Sequence, residues 1–358
     1  MARSKDLKGK NPLKQTLLVF NYAMNEKDPI FSHQADAVAA LARNFEKIVV
    51  ISQTVGRVDV PANVLIVDLN WKYEEDISNT LKFLLALIKI CFTEKPNLVF
   101  SHMTEKLSLL ASLPLKVLGI RHFLWYAHTS ASFSLRISAK FVDKIFTSTS
   151  GSCPINSPKV RVLGQAIDFS KFNGTSVQTD YPKKFIHVGR IDSSKNIQLL
   201  IDQTLLNDLG NSLTLVGAPS NPAASQYWDS LKAKNRELLN SKRLIEMGPI
   251  PRSELPNLLR KYEVFIHAFE GSLDKSILEA TACGLPVITI NPEYISIFGC
   301  WSKNSIKINL ESELTEFLKL PLDYREREIQ RRAVLLRELH GLEGWIENLT
   351  REMTENVS

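Results

Sequence analysis

The stretch EVFIHAFEGSLDKSILEATACGLPVIT, residues 263–289, determines the fold class of this chain. Its apolar run at 264–266 is typical of a strand that is buried on both faces of a sheet. The small and polar residues 270–274 predict a loop, which leads into a helix that ends before Gly284, a common helix terminator. Residues 286–290 predict the next strand. A strand, a loop and a helix in this order indicate a nucleotide or phosphate site of a parallel sheet.

The rest of the chain repeats this alternation of short apolar strands and helices in two series. Such a pattern is typical of parallel sheets with helices on both faces. We therefore predict an α/β protein with two facing, doubly wound, Rossmann-like domains and a cleft between them. The predicted parts are a disordered basic tail at 1–15, an N-terminal domain at 16–168, a turn-rich linker at 169–183, a C-terminal domain at 184–322, and helices at 323–358 that pack back toward the N-terminal domain.

The composition predicts a cytoplasmic protein. Hydrophobic residues make up 44% of the chain and charged residues 23%, which is ordinary for a soluble globular protein. There is no run of about 18 apolar residues, and residues 1–15 lack the apolar core of a secretory signal. The four cysteines are widely spaced, without a Cys-x-x-Cys pair, so neither a disulfide framework nor a zinc site is indicated.

The charge is concentrated in the first half of the chain. Residues 1–175 contain 22 lysines and arginines against 14 acidic residues, whereas the remainder contains 22 against 24. The N-terminal half is therefore expected to face an anion. Since no nucleic-acid-binding motif is present, we expect a lipid or a phosphorylated substrate and no nucleic acid.

One apolar segment, LKFLLALIKICF at 81–92, has two interpretations. The favoured one is a crossover helix that is buried against the sheet. The alternative is a helix that contacts the anionic inner face of a membrane, with Lys82 and Lys89 reaching toward the headgroups.

The predicted C-terminal domain begins with a glycine and two cations. Gly189 follows a strand and allows a ligand to approach the backbone, and Arg190 and Lys195 lie on the loop that enters a helix. Two cations beside a helix N-terminus suit a diphosphate, because they add charge to the oriented backbone N–H groups. A solvated basic loop is the alternative for this pattern when it stands alone.

In combination, however, these segments resemble a known family. The stretch HVGRIDSSKNIQLLID at 187–202, followed by DKSILEATACGLPVIT at 274–289, is similar to the nucleotide-sugar half of the family 4 retaining glycosyltransferases. KIFTSTS at 144–150 and VRVLGQAIDFSKF at 160–172 resemble further segments of that family. The resemblance covers most of residues 120–290 and implies the GT-B fold of two Rossmann-like domains.

The resemblance also implies roles for individual residues. Arg190 and Lys195 would hold the diphosphate of a nucleotide-sugar donor and offset the charge that develops on it. Glu279 would accept hydrogen bonds from the ribose hydroxyls, since a carboxylate offers two acceptor oxygens; the alternative is a surface glutamate near a helix start. His128, after a predicted strand, would donate a hydrogen bond to the donor sugar or the leaving phosphate.

This chain departs from the family pattern in the loop before the helix. The family has two glutamates eight residues apart, but Gly271 stands eight residues before Glu279, and Glu270 stands nine before it. The loop Gly271-Ser272-Leu273-Asp274-Lys275 resembles a bacterial variant. In that variant Asp274 would contact the donor sugar, with backbone amides of Ser272 to Lys275 around the sugar or phosphate. Asp274 as a helix N-cap is an equal alternative.

The resemblance implies a glycosyltransferase that moves a sugar from a nucleoside-diphosphate-sugar to a glycan or lipid-linked glycan. We expect no metal cofactor, because the chain has no Asp-x-Asp pair to hold a metal-bound diphosphate. Two alternatives remain at this point. One is a nucleotide-sugar epimerase on the same fold, and the other is a non-catalytic scaffold for glycan assembly, which the altered acidic loop would allow.

Overall fold

The computed structural model describes residues 12–28, 31–71, 77–174, 179–205, 210–302 and 308–355. Most of the predicted basic tail, at 1–11, lies outside the described residues. The first strand begins at Leu13, whose backbone N–H donates to the carbonyl of Asn44 at 2.9 Å. No helix in the described part of the chain has the length and apolar content needed to cross a bilayer.

The chain forms two compact units. The N-terminal unit comprises Met1–Leu163 together with Trp345–Ser358, and the C-terminal unit comprises Gly164–Gly344. Residues of the predicted linker take part in the C-terminal unit, since Phe172 is buried in its core next to Ile167. The other predicted domain boundaries stay predictions.

The N-terminal unit contains a seven-stranded parallel sheet in the order β3-β2-β1-β4-β5-β6-β7. Its strands are β1 (Leu13–Met24), β2 (Phe45–Val55), β3 (Val64–Asp68), β4 (Leu98–His102), β5 (Arg121–Trp125), β6 (Lys144–Thr147) and β7 (Val160–Val162). The helices between them are α1 (Ser32–Leu41), α2 (Ile77–Thr93), α3 (Glu105–Val117) and α4 (Phe133–Phe141).

The C-terminal unit contains a five-stranded parallel sheet in the order β10-β9-β8-β11-β12. Its strands are β8 (Lys184–Val188), β9 (Ser212–Val216), β10 (Leu244–Gly248), β11 (Val264–His267) and β12 (Val287–Thr289). Its helices are α5 (Ile197–Leu205), α6 (Pro222–Lys234), α7 (Arg236–Asn240), α8 (Leu255–Leu259), α9 (Lys275–Ala282), α10 (Pro292–Phe298), α11 (Leu310–Lys319) and α12 (Leu322–His340); α13 (Leu342–Thr354) follows.

Both sheets have the strand order of a Rossmann fold. The first strand of each unit, β1 or β8, lies in the middle, with the second and third strands on one side and the fourth on the other. The chain therefore changes direction of winding between β8 and β11, and ligands of such sheets bind at this switch point, beyond the carboxyl ends of the strands. The prediction of two doubly wound α/β domains is confirmed.

Strand β11 is apolar from Val264 to Ile266 because both of its faces are covered. Val264 and Ile266 of β11 pack into one hydrophobic cluster, with Trp228 and Phe317, whereas Phe265 between them packs into the opposite cluster. Successive side chains of a strand point to opposite faces, so a strand that is covered on both faces is apolar at nearly every position. This explains the apolar run that identified the strand.

Helix α13 returns the chain to the N-terminal unit. Trp345 is buried there, with its ring 5.3 Å from that of Trp125 and 6.3 Å from that of Phe100. Farther along α13, the ammonium of Lys144 donates to a carboxylate oxygen of Glu352 at 2.9 Å. An aromatic contact and an ion pair therefore fix the last helix against strands β4, β5 and β6.

Candidate functional site

The loop after β8 is organised by short polar contacts. The side chain of Asp192 accepts a hydrogen bond from the backbone N–H of Ser194 at 3.0 Å and so caps the 3-10 turn Ser193–Lys195. Asn196 then adopts a left-handed conformation, with φ 49°, and its side-chain amide donates to the carbonyl of Ala268 at 3.1 Å. This last bond ties the loop to the end of the neighbouring strand β11.

Arg190 and Lys195, the two predicted cations of this loop, lie in different environments. Arg190 is 49% exposed, and its Nε lies 3.8 Å from a carboxylate oxygen of Asp192. Lys195 is buried, and its Nζ lies 2.5 Å from Oδ2 of Asp274 and 3.7 Å from the centre of the Phe269 ring. Arg190 is therefore the solvent-facing cation, whereas Lys195 is held in place from two sides.

Asp274 joins the two predicted motifs. Its Oδ2 also accepts a hydrogen bond from Nε2 of His267 at 3.1 Å, and Nδ1 of His267 lies 3.0 Å from the hydroxyl of Thr289. Because a carboxylate only accepts, Nε2 of His267 carries the proton, and the hydroxyl of Thr289 donates to Nδ1 when the ring is neutral. Lys195, Asp274, His267 and Thr289 thus form one hydrogen-bonded chain across the ends of β8, β11 and β12.

The pKa values of Asp274 and His267 differ from their usual values. Burial alone would raise the pKa of Asp274, but the hydrogen bond from His267 and the charge of Lys195 outweigh it and hold the pKa well below its usual range. Burial lowers the pKa of His267, against the opposing effect of the Asp274 carboxylate. The result is an ionised Asp274 next to a neutral imidazole and an ammonium.

Asp274 precedes α9, but it does not cap the helix with its side chain. The N-cap alternative is therefore wrong for the side chain, although Asp274 occupies the N-cap position. The physical reason is that the carboxylate is directed to Lys195 and His267, which bind it more strongly than a backbone N–H group does.

Glu279 lies inside α9 and is 3% exposed, so the alternative of a surface glutamate is wrong. Its carboxylate forms an ion pair with the guanidinium of Arg252, from the short turn before α8. The Arg252 guanidinium also lies 5.2 Å from the centre of the Phe172 ring. Arg252 was not identified from the sequence, where it is one arginine in a turn, 27 residues from its partner.

The side chain of Asn291 holds the loop from 269 to 272 in place. The side-chain amide of Asn291 donates to the carbonyls of Phe269 and Gly271, at 2.9 Å and 3.1 Å. At Gly271 a Cβ would approach the Phe269 ring to 2.2 Å, so a side chain at this position would displace the ring under Lys195. The glycine, the ring and the amide therefore set the path of the loop.

The remaining predicted loop residues separate into two groups. Glu270 is exposed and belongs to neither ion pair, whereas Ser272 and Leu273 are buried. The carbonyl of Leu273 accepts from the side-chain amide of Gln165 at 2.9 Å. Lys275 begins α9. Of the two acidic candidates for the missing glutamate, the structure brings Asp274 and not Glu270 into contact with Lys195.

Gly189 is close to the imidazole of His187, one of two stacked histidines under the loop. A Cβ at Gly189 would lie 3.2 Å from Nε2 of His187, and the ring of His187 stacks on that of His267 at 5.9 Å. Burial lowers the pKa of His187 to about 3, so the ring is neutral. The backbone N–H of Gly189 donates to the carbonyl of Val216, so Gly189 contributes space rather than a hydrogen-bond donor.

His128 lies in the N-terminal unit, in the loop that follows β5. Its Nδ1 is 3.1 Å from the backbone nitrogen of Ser130, which donates to it, and 3.0 Å from the Ser130 hydroxyl. A ring nitrogen that accepts from a backbone N–H is unprotonated, so the proton of the neutral ring is on Nε2. His128 is thus set as a hydrogen-bond donor through Nε2.

Among the described residues, no group of three or more His, Cys, Asp and Glu side chains has the geometry of a metal site. The charged side chains at the switch point are instead cations paired with carboxylates, as the ion pairs of Lys195 and Arg252 show. Such a set suits an anionic, hydroxyl-bearing ligand, because the cations complement phosphate and the carboxylates complement hydroxyl groups.

Comparisons with known proteins agree with this description. Residues 170–296 match the model of a family described as glycosyl transferases group 1, and no curated protein sequence matches the chain. The matched residues lie within the C-terminal unit and include both the loop after β8 and helix α9.

Solved structures of similar fold span the whole chain. HepE of Anabaena, solved with UDP and glucose, has a TM-score of 0.73 at 12% identity, over 96% of this chain and 100% of its own. Sucrose-phosphate synthase of Thermosynechococcus elongatus has a TM-score of 0.75 at 12% identity, over 94% of this chain and 98% of its own. The lipopolysaccharide outer core galactosyltransferase WaaB has a TM-score of 0.65 at 13% identity, over 94% of this chain and 98% of its own. The predicted GT-B fold is confirmed.

Proposed function

We propose that this protein is a retaining, metal-independent glycosyltransferase that moves a hexose from a nucleoside-diphosphate-sugar to a glycan or lipid-linked glycan. The observation that carries the proposal is the contact of Lys195 with Asp274, 79 residues apart in sequence, at the switch point of the C-terminal sheet. This is the position where ligands of doubly wound sheets bind. The group 1 domain of residues 170–296 supports the same function.

The donor would be held by its diphosphate and its ribose. Arg190 faces solvent and is available to a phosphate, and Lys195 can keep its bond to Asp274 while two of its three N–H donors serve the diphosphate. Glu279 would receive the ribose hydroxyls on the carboxylate that also binds Arg252. Gly189 leaves room beside the diphosphate, and Asp274 or the amides at 272–275 would contact the sugar.

The reaction would be a front-face displacement at the anomeric carbon. The bond from that carbon to the diphosphate oxygen breaks, the acceptor oxygen bonds to the same face, and the leaving diphosphate takes the acceptor's proton. Arg190 and Lys195 would stabilise the negative charge that develops on the leaving oxygen, which is where fixed cations accelerate a reaction. His128 would donate a hydrogen bond from Nε2 to the sugar or the leaving phosphate.

The first experiment measures donor binding and turnover across UDP-, GDP- and ADP-sugars with a membrane extract as acceptor. Arg190→Met should lower kcat/KM for the preferred donor about 100-fold, because one charge-stabilising donor is removed. Arg190 is half exposed, so the variant should melt at the wild-type temperature. Lys232→Met is the matched control, since Lys232 is a partly exposed cation of the same unit and is not assigned to the site.

The outcomes separate the candidate functions. Wild-type turnover by Arg190→Met would contradict the assignment of Arg190 to the diphosphate of the donor. An isomerised donor formed without any acceptor would identify an epimerase, and nucleotide binding without turnover of any donor would identify a non-catalytic scaffold. Transfer that survives a metal chelator supports metal independence, and transfer lost on chelation and restored by a divalent ion contradicts it. The cytoplasmic location and the inner face of the membrane as the place of action stay predictions.

A further inference from the structure

Helix α2 has two apolar faces. Phe83, Leu87 and Ile90 point into the core of the N-terminal unit, where they pack with residues of β1 and β2. A second set of large apolar side chains is exposed to solvent. Its members are Ile77 at 80%, Leu81 at 55%, Leu85 at 67%, Ile88 at 48% and Phe92 at 69% exposure.

These five residues form one continuous stripe, which we call the α2 stripe. Successive members are three or four positions apart, the spacing that places side chains on the same face of a helix. Single exposed apolar residues are normal on a protein surface, but a contiguous apolar strip over more than four turns marks an interaction site. The crossover helix therefore meets the sheet with one face and presents the other to a partner.

The charged side chains within α2 itself are both positive. Lys82 and Lys89 are exposed and lie along one edge of the stripe, and α2 contains no acidic residue. Helix α3, which contacts α2, exposes Leu113 and Val117 with the exposed Lys116 between them. A partner for this surface must be apolar in its interior and anionic at its border.

We propose that the α2 stripe docks on the surface of an anionic lipid bilayer. The apolar side chains would enter the boundary between headgroups and acyl chains, while Lys82 and Lys89 would reach the headgroups. A second copy of the chain is the alternative occupant of the stripe, and the experiments below distinguish it from a bilayer. The helix lies on the membrane rather than across it, since no described helix meets the requirements for a span.

The test is sedimentation of the full chain with vesicles of phosphatidylcholine and phosphatidylglycerol, compared with vesicles of phosphatidylcholine alone. Leu85→Gln with Phe92→Gln should weaken binding to the anionic vesicles about 100-fold or more, because two large apolar side chains no longer enter the lipid. The matched control is Val334→Gln with Leu339→Gln on α12, two apolar helix residues that are 60% and 49% exposed. The control should bind as the wild type does.

A second variant isolates the charge. Lys82→Gln with Lys89→Gln should weaken binding to the anionic vesicles about 25-fold, should reduce its salt dependence, and should leave binding to phosphatidylcholine alone unchanged. All altered side chains are exposed, so circular dichroism should show native folds, and donor binding in solution should stay at the wild-type level. This readout keeps the membrane proposal separate from the proposed glycosyltransferase function.

Two results would overturn the membrane assignment. One is binding of the Leu85→Gln, Phe92→Gln variant to anionic vesicles as tightly as the wild type. The other is a concentration-dependent dimer in sedimentation velocity that this variant abolishes, without any vesicle binding by the wild type; the occupant of the stripe would then be a second copy of the chain.

Discussion

At the scale of single residues, His267 has a pKa that depends on the charges at the switch point. It is fully buried, and it lies between the carboxylate of Asp274, 3.1 Å away, and the hydroxyl of Thr289. Lys195, bound to the same carboxylate oxygen, opposes protonation of the imidazole, whereas Asp274 favours it. The pKa of His267 therefore reports how the lysine and the aspartate are arranged.

Substitutions of these two neighbours should shift the pKa of His267 in opposite directions. Lys195→Met removes a positive charge and should raise the pKa of His267, whereas Asp274→Asn removes the negative charge and should lower that pKa further. NMR titration of the imidazole resonances measures both shifts. Addition of a nucleoside diphosphate to the wild type should raise the pKa of His267 as well, because it brings negative charge to Lys195.

The control for this titration is His340, in the same unit but outside the site, whose resonance should titrate identically in all variants. If His267 kept its pKa in both variants, the hydrogen-bonded chain would not exist as described. If both substitutions shifted the pKa of His267 but the nucleotide did not, the hydrogen bonds would be supported. The assignment of Lys195 to the diphosphate would then be contradicted.

Residue types were easier to predict from sequence than residue partners. Arg190, Lys195, Asp274 and Glu279 were all selected by their motifs, and the last three are buried or partly buried in ion pairs. Arg252, the partner of Glu279, carried no signal. Such a pairing depends on which strand ends lie side by side, and the order of strands in a sheet is not written in the spacing of any one motif.

At the scale of elements, the end of α9 shows how one glycine terminates a helix. Gly284 has φ 76°, and its N–H donates to the carbonyl of Thr281 at 3.1 Å. The N–H of Leu285 donates to the carbonyl of Ala280 at 3.0 Å. These two bonds are the Schellman motif, in which a left-handed glycine satisfies the last carbonyls of a helix. The stop predicted at Gly284 from sequence is confirmed.

Gly284→Ala should destabilise the C-terminal unit by about 1–2 kcal/mol, because a Cβ is strained in the left-handed conformation. Gly344→Ala is the matched control, since Gly344 lies inside α13, is exposed, and would place its Cβ in open space. That substitution should stabilise the protein by about 0.5–1 kcal/mol through the helix propensity of alanine. Denaturant unfolding measures both, and equal effects of the two substitutions would contradict the motif.

Element types followed from the sequence where a segment was uniformly apolar or clearly periodic, and less well where it was short and polar. The sequence of residues 225–239 predicts a single helix, but the structure has two helices there, α6 and α7, which meet at Asn235. Asn235 turns its side-chain amide back to the carbonyl of Leu231 at 2.8 Å and to Gln198 at 3.1 Å. An asparagine that bonds locally competes with the helix ladder, and this contact depends on α5, a separate segment of the chain.

At the scale of the whole molecule, the predicted order of strands and helices was sufficient for the class of fold, because right-handed crossovers between parallel strands leave few topologies. That rule limits the possible strand orders, and the observed orders both have the first strand of the unit between its second and fourth strands. The polar content of the core was not predictable in the same way. His122, His187, His267 and His340 are all nearly fully buried, and burial lowers the pKa of each.

Buried neutral histidines make global stability depend on pH. When the pH falls below about 6.5, the unfolded chain takes up protons at these rings and the native chain does not, so stability is present at higher pH and is lost as the pH falls. His340 isolates one such contribution. Neither of its ring nitrogens has a hydrogen-bond partner among the described residues, and burial lowers its pKa to about 4.

His340→Phe should remove this contribution and nothing else that titrates. The aromatic ring keeps the contact with Phe298, whose ring centre lies 6.3 Å away. Between about pH 6.5 and 4, the free energy of unfolding of the wild type should fall, relative to that of the variant, by about 1.4 kcal/mol per pH unit. Urea unfolding in a series of buffers measures the two curves, and their difference at pH 8, where His340 is neutral in both states, isolates the change in packing. Parallel curves down to pH 4 would mean that the imidazole of His340 is protonated as readily in the native protein as in the unfolded chain, and that its burial does not persist in solution.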